Sequence, residues 1–348
     1  MAYTTIDDPS AYFQTALWTG TGSSQTITND GNSDLQPDWV WIKCRSTTRD
    51  HVLLDSTRGG TKALVSNTTG AEATDGAITA FNTDGFTHSG QNAYGGNGET
   101  HVAWQWKANG GTATATISES GSNPAATVQA NTTAGFSIIT YTGTGSQGTI
   151  AHGLGATPKF IVAKNRDAGE GWIIDSSILT GNSNGTLHFN TDAEYTGGSN
   201  QFGTHSSTNI TIKTAGNINT DGQKYVAYVF APIQGYSKFG SYTGNGNADG
   251  TFIYTGFKPA WFLAKRTSDT SHWTMLDTAR NPFNLAENYL HANETNADNN
   301  NQQKADFLSN GIKLRSISRH NDSGSTYIYM AFAESPFVSS DGVPTTAR

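Results

Sequence analysis

The sequence has little charge and a single cysteine. Of its 348 residues, 14% are Asp, Glu, Lys or Arg, about half of the usual globular share. Cys44 has no second cysteine for an intrachain disulfide, and the apolar residues around it predict a buried structural thiol. The net charge of −7 argues against a nucleic-acid partner, because phosphate binding requires clustered Lys and Arg.

The sequence also lacks long apolar runs and convincing helical periodicity. No stretch approaches the roughly 20 apolar residues of a membrane-spanning helix, so membrane insertion is not expected. The first residues carry neither the basic start nor the apolar stretch of a secretion signal. We therefore expect a soluble protein that is made in a cytoplasm and leaves the cell by a route such as lysis. The most helix-like segment, residues 282–290, could form one or two turns at most.

Glycine, threonine, serine, asparagine and aromatic residues take the place of the missing charge. The chain has 39 Gly, 16 Phe, 13 Tyr and 8 Trp. This composition favours short strands joined by tight turns, and the aromatic residues indicate apolar interiors rather than disorder.

One pattern of residues occurs three times along the chain. Each copy opens with an aromatic-Thr-Gly-x-Gly phrase and continues with a proline, a lysine, an aspartate and an apolar run. The opening and closing aromatic residues of the copies are 88, 89 and 90 residues apart. A unit of this size matches a small domain and is too long for a solenoid repeat. The opening aromatics are Trp18, Tyr141 and Tyr242, the lysines Lys43, Lys164 and Lys265, the aspartates Asp55, Asp175 and Asp277, and the closing runs 101–106, 225–230 and 327–332.

The segment that leads to each lysine alternates with a period of two residues, as strands do. In the first copy Trp39 and Trp41 share one face with Lys43, while Val40 and Ile42 lie on the other. Because both faces are apolar at first, the pattern predicts a central strand that is covered on two sides.

The fold expected is all-β, with three tandem homologous antiparallel β-sandwich modules of jelly-roll or lectin-like type. Each module should enclose its own hydrophobic interior. The modules span residues 1–107, 135–235 and 236–348. Residues 108–134 are expected to be a linker that includes a strand near 112–117.

The matched lysines and aspartates admit two interpretations. They could form one ligand-binding pair in each module. They could instead be structural, with the lysine stem along an apolar face and its ammonium in water or near the aspartate. We favour the structural interpretation, because an arginine follows Asp55 and Asp277 at three residues whereas Ile178 follows Asp175. A loop-bracing ion pair explains this difference better than a shared active site does.

Residues 67–72, 190–194 and 293–298 form a second repeated pattern, an asparagine with carboxylates nearby. Such a loop could hold Ca²⁺ through oxygen ligands, or the asparagine could cap the loop by a local hydrogen bond. The spacing matches no calcium loop, so we expect neither a metal nor a cofactor.

Catalytic patterns are not evident among the nine histidines, of which His101 alone lies in one of these strands. Without paired cysteines, a His-x-x-x-His motif or a triad-like cluster, an enzyme is not expected. Trp172 and Trp273, with Tyr195 and Tyr289, are the candidates for a glycan or receptor contact, since aromatic rings stack on sugars. Core packing is the alternative for each of them.

The repeated phrases resemble those of virion proteins of tailed bacteriophages, structural and tail-fibre-like proteins of marine phages, notably phages of cyanobacteria. The motifs that carry this resemblance are Asp7-Asp8-Pro9, Trp18-Thr-Gly-Thr-Gly22, Leu35-Gln-Pro-Asp-Trp-Val-Trp-Ile-Lys43, Asp55-Ser-Thr-Arg-Gly59, His152-Gly-Leu-Gly155 and the segment 130–145.

The resemblance implies a non-enzymatic virion component on the particle exterior, often with a lectin-like β-sandwich. Its partners would be other virion proteins and a cell-surface glycan. A tail-fibre or knob protein is expected, with a capsid decoration protein or a free carbohydrate-binding module as alternatives. Phage proteins of this kind commonly form homo-oligomers, so a trimer is a further expectation.

Overall fold

Strands dominate the computed structural model, which describes residues 2–175, 179, 186–196 and 200–346. The helices that lie wholly within these residues are single turns, α1 (Asn92–Gly95) and α2 (Gly216–Asn219), with a 3-10 turn at Pro9–Ala11. Residues 282–289 are not helical. The prediction of an all-β protein is confirmed.

The strands are short, between two and eleven residues in length. In chain order they are β1 (Phe13–Thr19), β2 (Gln25–Ile27), β3 (Trp39–Cys44), β4 (His51–Asp55), β5 (Lys62–Val65), β6 (Ala73–Thr74), β7 (Ile78–Phe81), β8 (Phe86–His88), β9 (Thr100–Trp106), β10 (Ala115–Ile117), β11 (Ala126–Asn131), β12 (Phe136–Thr142), β13 (Gly148–Ala151), β14 (Phe160–Asn165), β15 (Ile173–Asp175), β16 (Leu187–His188), β17 (Asn209–Ile212), β18 (Lys224–Phe230), β19 (Ser237–Thr243), β20 (Phe252–Tyr254), β21 (Phe257–Arg266), β22 (Thr274–Asp277), β23 (Leu290–His291), β24 (Ala305–Leu308), β25 (Gly311–Leu314) and β26 (Thr326–Pro336).

Three large antiparallel sheets follow one strand order within the described residues. The first is β1-β9-β3-β4-β5-β6, the second β10-β11-β12-β18-β14-β15-β16 and the third β19-β26-β21-β22-β23. In each sheet the closing run of the repeat lies between the opening strand and the strand that carries the matched lysine. Three small sheets, β2-β8-β7, β13-β17 and β20-β25-β24, accompany them.

The glycines of the repeated phrase meet two different backbone requirements. A Cβ on Gly20 would lie 2.3 Å from the carbonyl oxygen of Gly96, so no side chain fits there. Gly22 has φ +72°, a left-handed conformation that glycine adopts without strain. The same two requirements recur at 143–145 and 244–246, which explains why the phrase is repeated.

Each large sheet buries one face against its small sheet. In the first copy Val40 and Ile42 of β3 pack with Ile27, Ile78 and Phe86 of the small sheet. The second and third copies form corresponding interiors. The prediction that β3 is covered on both faces is confirmed, since all six of its residues are buried.

The opposite faces of the three large sheets meet in a single shared interior. This differs from the expectation of three separate interiors, because the sequence pattern does not reveal what covers the second face of each sheet. Trp39 of the first sheet stacks on Tyr228 of the second, with ring centroids 4.3 Å apart. Burial of such large rings is a main source of stability. The shared interior includes Phe13, Trp39, Trp41, Trp104, Trp106, Phe136, Phe160, Tyr228, Phe230, Phe239, Trp261, Met330 and Phe332.

Residues 108–134 contribute to the second sheet. Strand β10 lies within the segment where the sequence predicts a strand. Strand β11 lies where a linker is expected; it pairs with β12 over its whole length and buries Ala126 and Val128. The segment contains no aromatic residue, which conceals a strand that lies inside the sheet between β10 and β12 and packs with small side chains.

Among the described residues, no helix has the length and apolar character needed to cross a membrane.

Candidate functional site

The three matched lysines are fully buried where their strands end. This corrects the expectation of an ammonium in water or near the aspartate. Each ammonium donates first to the carbonyl oxygen of the residue that follows it. The distances are 2.9 Å from Lys43 to Cys44, 2.8 Å from Lys164 to Asn165 and 2.7 Å from Lys265 to Arg266.

Each ammonium also donates to a loop that belongs to another sheet. Lys164 donates to Thr69 of the first copy at 3.2 Å, and Lys265 donates to Asp192 of the second copy at 3.2 Å. Lys43 completes the circle, since it donates to Thr295 of the third copy at 3.0 Å. We call these contacts the lysine ring. Burial lowers the pKa of each of the three lysines to about 8, so the ammonium form still prevails at neutral pH.

The loops that cover the lysines are those with the repeated asparagine. The asparagine side chains accept hydrogen bonds from backbone N–H groups of their own copies. Asn67 accepts from His51 at 2.9 Å, Asn190 from Trp172 at 2.8 Å, and Asn293 from Trp273 at 3.0 Å. The asparagines thus cap loops, the alternative to calcium binding.

Carboxylates of two of these loops are bound by arginines. Glu72 lies 2.7 Å from Arg166 and 2.9 Å from Arg58. Asp298 pairs in the same way with Arg45 and Arg280, at 2.7 and 2.6 Å. The guanidinium groups bind the carboxylate oxygens that a calcium ion would require as ligands.

The matched aspartates also join one sheet to another. Asp55 is buried, lies 2.5 Å from Arg58 Nε and accepts a 2.7 Å hydrogen bond from Tyr228 of the second sheet. Burial by itself would lower the pKa of Arg58, but the neighbouring Asp55 raises it overall. The arginine that follows this aspartate does brace the loop, as the sequence predicts.

The third copy repeats this arrangement, and the second replaces it. Asp277 lies 2.6 Å from Arg280 and accepts a 3.0 Å hydrogen bond from Trp104 of the first sheet. Asp175 is followed by Ile178, which lies outside the described residues, and pairs instead with His205 at 2.5 Å.

The aromatic candidates for sugar contact are mostly internal. Trp172 and Trp273 are 0% and 1% exposed, so neither ring presents a face to solvent. Their indole N–H groups donate to carbonyls of another copy, Val65 at 2.7 Å and His188 at 2.8 Å. These two contacts join the second copy to the first and the third copy to the second, as two of the three contacts of the lysine ring do. Tyr195 is half-buried against the shared interior.

Tyr289 borders a polar cavity of about 230 Å³ in the third copy. His272 and His291 stack in it with ring centroids 4.6 Å apart, and Glu294 lies 2.6 Å from His291 Nδ1 and 3.3 Å from His272 Nε2. The hydrogen bond from His291 lowers the pKa of Glu294 to about 2.

Arg319 lies at the rim of this cavity and has φ 68°, an unusual conformation for a residue other than glycine. Its carbonyl is held by Tyr327 at 2.7 Å. The cavity combines a carboxylate acceptor with guanidinium and amide donors, groups that suit the hydroxyls of a sugar. Sequence reasoning missed it because its residues span 272 to 319 without a motif.

Comparison with known proteins adds a family but no function. The family model described as "Domain of unknown function (DUF7483)" matches residues 8–336, which include all three large sheets. No curated protein matches the chain.

Proposed function

The chain belongs to this family of unknown function, and we propose that it is a non-enzymatic structural protein on the exterior of a tailed-bacteriophage particle. The resemblance of its repeated phrases to phage virion proteins supports this role. The matched lysines and aspartates support the structural role as well, because they make contacts within the fold.

We also infer that three copies of one β-sandwich module form the chain, at residues 1–107, 135–235 and 236–348. The common strand order of the large sheets supports this division. On this view residues 108–134 extend the second module.

The observation that carries the proposal is the lysine ring. A buried ammonium is costly unless acceptors surround it, and here the acceptors of each come partly from a neighbouring sheet. Separating the modules would expose the aromatic interior and leave these groups unpaired. The chain is therefore suited to act as one stiff body that displays its turns, which is what a particle component requires.

We place the protein at the tail, as a fibre or knob component, with other virion proteins as partners. The test is to localise it in purified particles of the phage that encodes it, by cryo-electron microscopy and mass spectrometry. Density at the tail supports the proposal, whereas density on the shell would make the protein a capsid decoration protein. A chain that is abundant in the lysate but missing from particles would refute the virion role. A replication enzyme of the same phage serves as the control for contamination.

A trimeric assembly is part of the proposal, by analogy with other phage exterior proteins. Light scattering or native mass spectrometry of the purified chain tests it, and a lone monomer at particle-like concentrations would remove it.

A glycan receptor contact is a second candidate, which the polar cavity beside Tyr289 favours. Arg319 is exposed, so Arg319→Ala should keep the fold while it weakens any sugar bound there. A glycan array with the wild type and this variant tests the idea. Binding by a free chain that is missing from particles would instead indicate a carbohydrate-binding module. A glycan array on which the wild type binds no sugar would refute the sugar contact and leave the structural role in place.

A further inference from the structure

The register of the first large sheet brings a thiol and an imidazole together. Cys44 of β3 lies directly opposite His101 of β9, and both residues are fully buried on the face that packs against the small sheet. Directly opposed residues have Cβ atoms about 5 Å apart. Glu99 lies in the turn before β9, and its Oε2 is 3.6 Å from Cys44 Sγ. One ligand atom from each of the three residues lies within 4.8 Å of the others.

His101 is the unusual member of this cluster. Neither of its ring nitrogens has a hydrogen-bond partner among the described residues, although the side chain is completely buried. Trp18 stacks on the ring at 5.3 Å and fixes its plane, but stacking satisfies neither nitrogen. A buried polar group without a hydrogen-bond partner is unfavourable, because folding removes it from water without replacing its hydrogen bonds. This placement of the His101 imidazole indicates a ligand-binding position.

The corresponding positions of the second sheet show what a satisfied arrangement looks like. Asn165 lies opposite Tyr225, and its amide donates to Gln223 at 2.5 Å. The Tyr225 hydroxyl reaches farther and donates to Gly216 at 2.8 Å. The amide and phenol groups at these positions of the second sheet therefore have hydrogen-bond partners.

The third sheet again uses a phenol. Tyr327 lies opposite Arg266 and donates to the Arg319 carbonyl at 2.7 Å. At the corresponding positions the first sheet combines a thiol, a carboxylate and an imidazole. The imidazole of His101 is shorter than the tyrosine side chains of the other two sheets and makes no such hydrogen bond with the described residues.

We propose that Cys44, Glu99 and one ring nitrogen of His101 bind a divalent transition-metal ion of the zinc class. Thiolate, carboxylate and imidazole are the ligands that zinc takes in proteins. With bonds of about 2.3 Å to sulfur and about 2.0 Å to oxygen, a tetrahedral ion holds these two atoms about 3.5 Å apart. The 3.6 Å between Cys44 Sγ and Glu99 Oε2 fits this requirement.

Charge and access agree with this assignment. Binding would release the thiol proton to solvent, and the thiolate and carboxylate together would neutralise a dication. Arg49 donates to Glu99 Oε1 at 2.7 Å and orients the carboxylate, as outer-shell groups do at metal sites. Its second contact, to Oε2, is longer at 3.4 Å, and the ion would replace this weaker contact. The Arg49 and Glu99 side chains are 35% and 15% exposed, so the ion has a route from solvent. The Lys43 ammonium, close by, is held by the Cys44 carbonyl.

The cluster of His272, His291 and Glu294 provides a matched comparison. His291 hydrogen-bonds to Glu294, and His272 lies 3.3 Å from the same carboxylate, so the contacts already present explain their arrangement. It is the control site for the experiment.

The experiment uses the full chain, stripped with a chelator and titrated with Co²⁺ and then Zn²⁺. We expect one ion per chain, a thiolate-to-cobalt charge-transfer band, and protection of Cys44 from a thiol reagent. Cys44→Ser should abolish the band and weaken binding by more than about 100-fold. His272→Asn should change neither. Zn²⁺ should also raise the Tm of the wild type and leave that of Cys44→Ser unchanged, by the linkage of binding to folding.

A second variant carries the residues of the second sheet, Cys44→Asn with Glu99→Gln and His101→Tyr. It should fold, as circular dichroism would show, and bind no Co²⁺. The proposal is overturned if the wild type takes up no metal at micromolar concentration. It is equally overturned if Cys44→Ser binds as tightly as the wild type, or if binding is lost in His272→Asn instead.

Discussion

The hydroxyl of Tyr228 donates a 2.7 Å hydrogen bond to Oδ2 of Asp55, across 173 positions of sequence and between two sheets. Arg58 lies 2.5 Å from the same oxygen and 3.1 Å from the Tyr228 hydroxyl. Burial raises the pKa of Tyr228 well above its ordinary value, so the phenol remains a donor at any physiological pH. This contact fastens β18 of the second sheet to β4 of the first.

Tyr228→Phe tests the strength of that contact. The substitution keeps the ring stacked on Trp39 but removes a donor to a buried charged group, so the free energy of unfolding should fall by about 1.5 to 3 kcal/mol. Urea unfolding of the purified chain measures the change. Tyr12→Phe, at the edge of the shared interior, is the control and should lie within about 0.5 kcal/mol of the wild type. Equal effects of the two variants would contradict the role given to the hydroxyl.

Lys164→Met tests the lysine ring. Methionine fills similar space but removes the ammonium that donates to the carbonyls of Thr69 and Asn165. We expect a loss of about 2 to 3 kcal/mol and faster amide exchange in the loop 67–72. Lys224→Met, at an exposed position, should leave both measurements unchanged. Unaltered exchange in the loop of the first copy would show that the contact between copies is not stabilising.

The repeat predicted much of the local structure, because strand periodicity and turn glycines follow from neighbouring residues. Trp39 and Val40 were correctly assigned to opposite buried faces of one strand. What lies against each face could not be predicted. A buried face pairs with any apolar surface, so the alternation that identifies β3 does not distinguish its own small sheet from the two other large sheets.

The lysines show the same limit. A lysine at the end of an apolar strand usually extends to water, and the residue types around Lys265 do not indicate that its ammonium is buried. Its acceptors are the backbone carbonyls of Arg266 at 2.7 Å and of Asp192 at 3.2 Å, and every residue type offers such a group. The lysine ring therefore cannot be recognised from the composition of the sequence. By contrast, the ion pair of Asp55 with Arg58 was predictable, since its partners are three residues apart.

The buried tryptophans lead to a prediction that separates packing from sugar binding. Trp172→Ala should cost about 3 to 5 kcal/mol, because it empties a site in the shared interior. Trp172→Phe keeps most of the packing and loses the donor to Val65, for about 1 to 3 kcal/mol. If Trp172→Leu, which keeps an apolar side chain but has no ring to stack on a sugar, is folded and matches the wild type on a glycan array, the ring is structural. Loss of sugar binding without loss of stability would assign it to a ligand instead.

Acid should destabilise the protein through histidines that are buried in the neutral form. Burial lowers the pKa of His88 and of His320 to about 4, below the ordinary value of 6.5. Between pH 6.5 and 4 the unfolded chain binds protons that the folded chain does not, so the free energy of unfolding falls as the pH decreases. Each histidine contributes at most about 3 kcal/mol over this window. The lowered pKa of Glu294, about 2, acts only below pH 4.5 and is therefore separable. Urea unfolding at pH 7, 6, 5 and 4.5 measures the slope, and His320→Gln should flatten it whatever its stability at pH 7. A slope identical to that of the wild type would show that His320 already takes up its proton in the folded state.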